Sequence, residues 1–202
     1  MGVGGPLRVA VVISGRGSNL TALHTAAAAK GYAIVGVVSN QADAQGLRYA
    51  HSQALSQTIV DHRHYSTRAL FDAALAAAID RYEPDIIALA GFLRVLGSAF
   101  VHRYTGRLIN IHPSLLPAFP GLNTHARVLE SGATEHGATV HFVTDALDGG
   151  PIIEQARLKV LPNETAEQLA ARVLVLEHAL YPRVLGGFAS GQITLPKTRA
   201  TT

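Results

Sequence analysis

Four short apolar runs separated by helix-like stretches constrain this chain more than any other feature. LRVAVVI (7–13), AIVGVVSN (33–40), TIVD (58–61) and DIIALAGFL (85–93) have strand length. Their near-continuous apolar character is that of strands covered on both faces. The first gap carries LTALHTAAAA, the second a helical stretch near 44–54. The third gap runs from about Ser66 to Tyr82, with Ser66 as the expected N-cap and Glu83-Pro84 as the stop. A βαβαβαβ order of this kind implies an α/β fold: one open, mostly parallel, twisted sheet with helices on both faces.

The second half changes pattern. RLINIH (107–112) reads as a fifth strand, while TVHFVTD (139–145) and PIIEQARLKV (151–160) read as a strand pair around a Gly-Gly-Pro turn. An antiparallel addition to the sheet is therefore expected in the C-terminal part. Residues 164–188 have the pattern of a long amphipathic helix, and QITL (192–195) that of a last short strand. No repeat, heptad seam or composition shift divides the chain. The expectation is one domain over 1–202, with loose tails at about 1–6 and 197–202.

Composition then removes whole classes of function. Hydrophobic residues make up 48% and charged residues 15% of the 202, the balance of a chain with a real core. No apolar run approaches the ~18 residues that cross a bilayer, and no secretion signal is read at the N-terminus. The absence of cysteine excludes disulfides, thiol nucleophiles and thiolate metal sites. A cytoplasmic protein with no membrane partner is expected. The net charge is only +3, without a basic stripe or interleaved aromatics, so no nucleic-acid partner is expected. His62 and His64 lack a third ligand nearby, and no metal is expected either.

Ligands of open α/β sheets bind outside the carboxyl ends of the strands, so the strand ends are where chemistry belongs. After the first strand comes SGRGSNL (14–20). Gly15 and Gly17 let the backbone approach a ligand, and the following helix offers unpaired N–H groups to an anion. Ser18 and Asn19 add side-chain donors, unless Ser18 merely caps the helix. The loop lacks the Gly-Lys-Ser/Thr of a Walker loop. It is also a poor dinucleotide fingerprint, because Leu20 stands at its last position and the second strand ends in Ser39-Asn40 instead of an acid. A single phosphate suits it best.

The fifth strand ends in Asn110 and His112, one residue apart and so on the same face. An amide donor beside a group that titrates near neutrality suits a carbonyl that becomes a tetrahedral oxyanion. A plain polar strand end is the alternative. An acid–base histidine needs an anionic neighbour, and TDALDGGP (144–151) offers both Asp145 and Asp148 on a glycine-rich loop. Spacing alone leaves that choice open. His125, His136 and His141 read as packing or loop histidines, Glu177 and His178 as solvent-facing helix residues, and Arg68 and Arg94 as surface charges.

VVISGRGSNL, SNQADAQGL, PDIIALAGFLRVL, GRLINIHPSLLPAFPGLNTH, HGATVHFVTDALDGGPII and EHALYP occur in this order, from about Arg8 to Leu195. Together they resemble the phosphoribosylglycinamide formyltransferase family, folate-dependent enzymes of purine synthesis with a Rossmann-like formyltransferase fold. The resemblance implies formyl transfer from 10-formyltetrahydrofolate to the amine of glycinamide ribonucleotide, without a metal, in a monomer or homodimer. It implies that Gly17, Ser18 and Asn19 hold the ribonucleotide phosphate and that Glu177 reaches its ribose or glycinamide end. Leu93, Arg94, Val95 and Leu96, with Asn110, would line the folate pocket, and Arg68 and Arg94 would meet the benzoylglutamate end. Asn110, His112 and Asp148 match the family's catalytic trio, which selects Asp148 over Asp145. Arg16, Leu93 (where methionine is common) and Asn123 (where histidine is frequent) depart from the usual pattern.

Three rivals share part of these signals. Formyltetrahydrofolate hydrolases resemble the same trio but have an extra domain in front. Methionyl-tRNA formyltransferases add a nucleic-acid-binding domain behind. Neither extension is expected in 202 residues. A non-catalytic phosphate-binding module would explain SGRGSNL and leave the trio unused.

Overall fold

The computed structural model describes residues 5–195. Seven strands form one sheet in the order β3-β2-β1-β4-β5-β6-β7. They are β1 (Leu7–Ile13), β2 (Tyr32–Ser39), β3 (Gln57–Ile59), β4 (Ile86–Leu89), β5 (Leu108–His112), β6 (Glu135–Phe142) and β7 (Ile152–Lys159). The pairings from β3 to β5 are all parallel, and β6 and β7 extend the sheet antiparallel. Among the described residues six α-helices surround it: α1 (Ser18–Lys30), α2 (Gln45–Ser52), α3 (Arg68–Asp80), α4 (Ser98–Arg103), α5 (Thr124–Ser131) and α6 (Ala166–Ala189).

The continuous apolar runs have a direct cause. Val9, Val11 and Ile13 of β1 enter one core with Leu20 and Leu23 of α1 and Leu180, Tyr181 and Val184 of α6. Ala10 and Val12 point the other way, into a second core with Phe71, Leu75 and Ile79 of α3. Both faces of the strand are dry, so neither parity tolerates a polar side chain. Tyr181 is wholly buried, and its hydroxyl donates to the Leu89 and Ile109 carbonyls at 3.1 and 3.3 Å. That satisfies the one polar atom it brings into the core.

Several expectations need correction. The cap of α3 is Thr67, whose hydroxyl accepts from Leu70 N, and not Ser66. The fourth strand ends at Leu89; Gly91, at φ 75°, turns the chain out of the sheet four residues earlier than its apolar pattern suggests. β6 runs from Glu135 to Phe142, starting four residues before the expected Thr139, and Gly137 lies within it. A side chain there would strike the Ala156 carbonyl of β7. QITL is not a strand: its Ile193 amide donates to the Gly187 carbonyl at 3.0 Å, folding the segment back on α6. Helices α4 and α5 are too short for a helical period to register in sequence. The expected tails lie outside the described residues, apart from Gly5 and Pro6. Among the described residues no helix is long and apolar enough to cross a membrane.

Candidate active site

The strand order reverses between β1 and β4, and there the loops leaving the two strands touch. Ser14 N donates to the Gly91 carbonyl at 3.1 Å. The Ser14 hydroxyl accepts from Leu93 N at 2.9 Å and donates to Asn40 Oδ1 at 2.6 Å. One buried serine therefore joins the glycine-rich loop after β1 to the Leu93–Leu96 segment.

Gly17 takes the N-cap position of α1 in the left-handed region, with no side-chain cap, so the first-turn N–H groups stay open to a ligand. Ser18 is thus inside the helix and is not its cap. The loop lies tight on α2: a Cβ on Gly17 would stand 2.5 Å from Gly46 Cα. Asn19 Nδ2 donates to Glu177 Oε2 at 2.7 Å, while Asn19 Oδ1 has no partner. Glu177 is 8% exposed, against the expectation of a solvent-facing helix residue. Its burial raises its pKa, and the Asn19 bond partly opposes that rise.

A cavity of about 140 Å³ opens at the ends of β4 and β5, reached by Leu96, Asn110, His141 and Asp148. Arg94 and Val95 line it too, with the Arg94 guanidinium 5.5 Å from the Phe71 ring centre. Leu93, next in the same segment, is 71% exposed. Arg68 lies elsewhere, at the start of α3. It borders a larger hollow of about 560 Å³ toward Gly97 and Arg103 that contains neither Asn110 nor Asp148.

Strand alternation does place Asn110 and His112 on one face. His112 is 6% exposed and does not line the cavity; it stands behind Asp148, with Nδ1 3.5 Å from Asp148 Oδ2. Its Nε2 is 3.0 Å from the Phe119 carbonyl, which can only accept, so that nitrogen carries a proton. Asp148 Oδ2 also accepts from Gly121 N at 2.8 Å. This carboxylate therefore ties two loops together. Asp148 and Phe119 both have positive φ, at 49° and 55°, and strain of this kind gathers at functional sites. Asp145 borders the same cavity, but its carboxylate is half exposed and paired with the exposed His102 at 2.7 Å. A hydrogen bond from Ser98, with the His102 contact, lowers its pKa.

Sequence reasoning missed His141. The antiparallel register sets it opposite Asn110, whose Nδ2 lies 3.3 Å from His141 Nε2, and Asp148 Oδ1 is 3.8 Å from the same nitrogen. Only the pairing of β5 with β6 reveals this, and the pairing has no local signature. His125 and His136 form a separate pair at 3.0 Å. Among the described residues no group of three or more His, Asp or Glu is placed to hold a metal.

The family model for formyl transferase matches residues 7–185. Phosphoribosylglycinamide formyltransferase of Escherichia coli K12 is 45% identical over 96% of this chain and 92% of its own. The structure of phosphoribosylglycinamide formyltransferase from Coxiella burnetii superposes with a TM-score of 0.88 at 51% identity, covering 92% of this chain and 88% of that one. Glycinamide ribonucleotide transformylase 1 from Symbiobacterium toebii gives 0.90 at 40% identity, covering 95% and 92%. Likeness this high over nearly the whole chain settles the family: the chain belongs to the phosphoribosylglycinamide formyltransferases, within the formyl transferase family.

Proposed function

We propose that the chain carries the formyl group of 10-formyltetrahydrofolate to the amine of glycinamide ribonucleotide, and that Asn110, His112 and Asp148 are its catalytic residues. The observation that carries the assignment of these residues is their convergence at the end of β5, with Asp148 3.5 Å from His112 and Asp145 paired instead with His102.

The ribonucleotide phosphate sits on the open first turn of α1 at Gly17, Ser18 and Asn19, and Glu177 with Asn19 meets the sugar or glycinamide end. The folate lies along Leu93, Arg94, Val95 and Leu96, with Asn110 at the formyl end. Arg94 faces the anionic tail, and Arg68 assists only where the tail reaches the start of α3. The unprotonated amine attacks the formyl carbon, forming the new C–N bond. Asn110 donates to the oxyanion; His112, in its protonated form, adds its charge to the field on that oxygen, with the Asp148 carboxylate 3.5 Å from Nδ1. The intermediate collapses by breaking the bond to the folate nitrogen. The amine's proton ends on that nitrogen, relayed through Asp148 and a water. Holding two substrates in line contributes ~7–11 kcal/mol on its own. No step calls for a metal, and every residue named lies on one chain, so monomer and homodimer are equally competent. The reading treats the chain as one formyltransferase domain.

His112→Ala should fold, with a circular dichroism spectrum like the parent's, and lose turnover by ~10²–10⁴-fold, the range for a positioned proton-transfer group. Turnover within a few-fold of the parent would remove His112 from the trio.

A further inference from the structure

The neutral ring of His141 has only one way to bond the two neighbours within hydrogen-bond reach, Phe142 and Asn110, with Asp148 Oδ1 farther off at 3.8 Å. Nδ1 lies 3.0 Å from the Phe142 carbonyl, which can only accept, so Nδ1 carries the proton. The ring is 2% exposed, and burial lowers its pKa; the Phe142 bond and the Asp148 charge act against that, and the His112 charge adds to it. A neutral ring protonated at Nδ1 leaves Nε2 as a bare acceptor, and the group 3.3 Å from it is Asn110 Nδ2. Were the Asn110 amide flipped, its oxygen would face that lone pair with no proton between them.

We infer that His141 is a positioning residue: its bare Nε2 accepts one N–H of Asn110, fixing the amide so that the other N–H meets the formyl oxygen. The inference rests on the reading of Asn110 as the oxyanion donor. It explains why a buried histidine stands near the end of β6, opposite Asn110 in register. An oxyanion donor that rotates freely presents oxygen as often as nitrogen, and preorganisation is what makes such a donor effective. His141 itself touches neither reacting centre in this role.

The test is a double-mutant cycle with steady-state kinetics for formyl transfer. His141→Phe should lower kcat about 10-fold, with KM for both substrates nearly unchanged. His141→Gln, which restores an acceptor, should recover most of that loss. In an Asn110→Ala background, His141→Phe should cost less than about 2-fold more, since nothing remains to be positioned. A full 10-fold further loss in that background overturns the inference and leaves Asn110 in its role. Parent-like turnover in Asn110→Ala alone overturns the reading of Asn110, and the inference with it. The wild-type protein gives an answer that depends on no variant's folding. With ¹⁵N-asparagine labelling, the two Asn110 side-chain protons should exchange at different rates, one of them protected. Equal, rapid exchange of both contradicts the inference.

Discussion

Asn19 donates its side-chain amide to Glu177 at 2.7 Å, a buried bond that ties the first turn of α1 to α6 across 158 residues of sequence. Burial of the ionised carboxylate works against the fold's stability near neutral pH. Glutamate in the unfolded chain ionises near its model value of 4.5, whereas burial raises the pKa in the native state. The native state is thus favoured most below pH 4.5, and that part of its stability is lost as pH rises through the raised value. Glu177→Gln removes the ionisation and offers a donor to the unpartnered Asn19 Oδ1. Its melting temperature should exceed the parent's at pH 7 by about 2–4 °C, the shift ~1 kcal/mol gives a chain of this size, and match it at pH 4. KM for the ribonucleotide should rise at the same time. Calorimetry at both pH values, with kinetics at pH 7, checks the pair of outcomes.

Gly17 answers to two constraints at once. Its φ of 75° is a conformation L side chains rarely adopt, and a Cβ there would press on Gly46 Cα at 2.5 Å. Gly17→Ala should destabilise by roughly 2–4 kcal/mol, combining αL strain with displaced backbone. Urea unfolding measures it, and inorganic phosphate should protect the variant less than the parent.

Ser14 is a bond donor to Asn40 in the interior and an acceptor for the half-buried Leu93 N. Ser14→Ala strands both partners, at about 1–3 kcal/mol each. Because Leu93 N lies in the segment proposed for folate, KM for the folate should rise several-fold while KM for the ribonucleotide moves little. Equal changes in both would show a general loosening instead.

His136 is buried beside His125 at 3.0 Å, and burial, with the His125 and His112 charges, lowers its pKa to about 4. The unfolded chain takes up this proton near 6.5, before the native state does. Stability is complete above pH 6.5 and falls as pH drops toward 4, by about 3 kcal/mol at full development. His136→Gln should flatten that slope. Urea midpoints at pH 7 and pH 4.5 compare the two.

The fold was legible where one cause dominates. β1 matches its apolar run to the residue, because Val9 to Ile13 are buried on both faces and the one charge, Arg8, stands exposed near the strand's start. Asn110 and His112 were legible because alternation within one strand is local. His141 was not, because its partner is set by the register between β5 and β6. The burial of Glu177 was hidden too, since charge on an amphipathic helix signals solvent unless another chain segment covers it. Asp145 and Asp148 look equivalent in TDALDGGP. Only the partners the fold brings separate them: His102 takes Asp145, while Gly121 and His112 take Asp148.

The central claim is transfer of formyl to the ribonucleotide, and a single labelled group tests it most directly. 10-Formyltetrahydrofolate carrying ¹⁴C in the formyl carbon is incubated with the protein, with and without glycinamide ribonucleotide. The account predicts label in the ribonucleotide, one for each tetrahydrofolate released, and almost no release when the ribonucleotide is left out. Tetrahydrofolate formed at the same rate in its absence, with the label in formate, would contradict it.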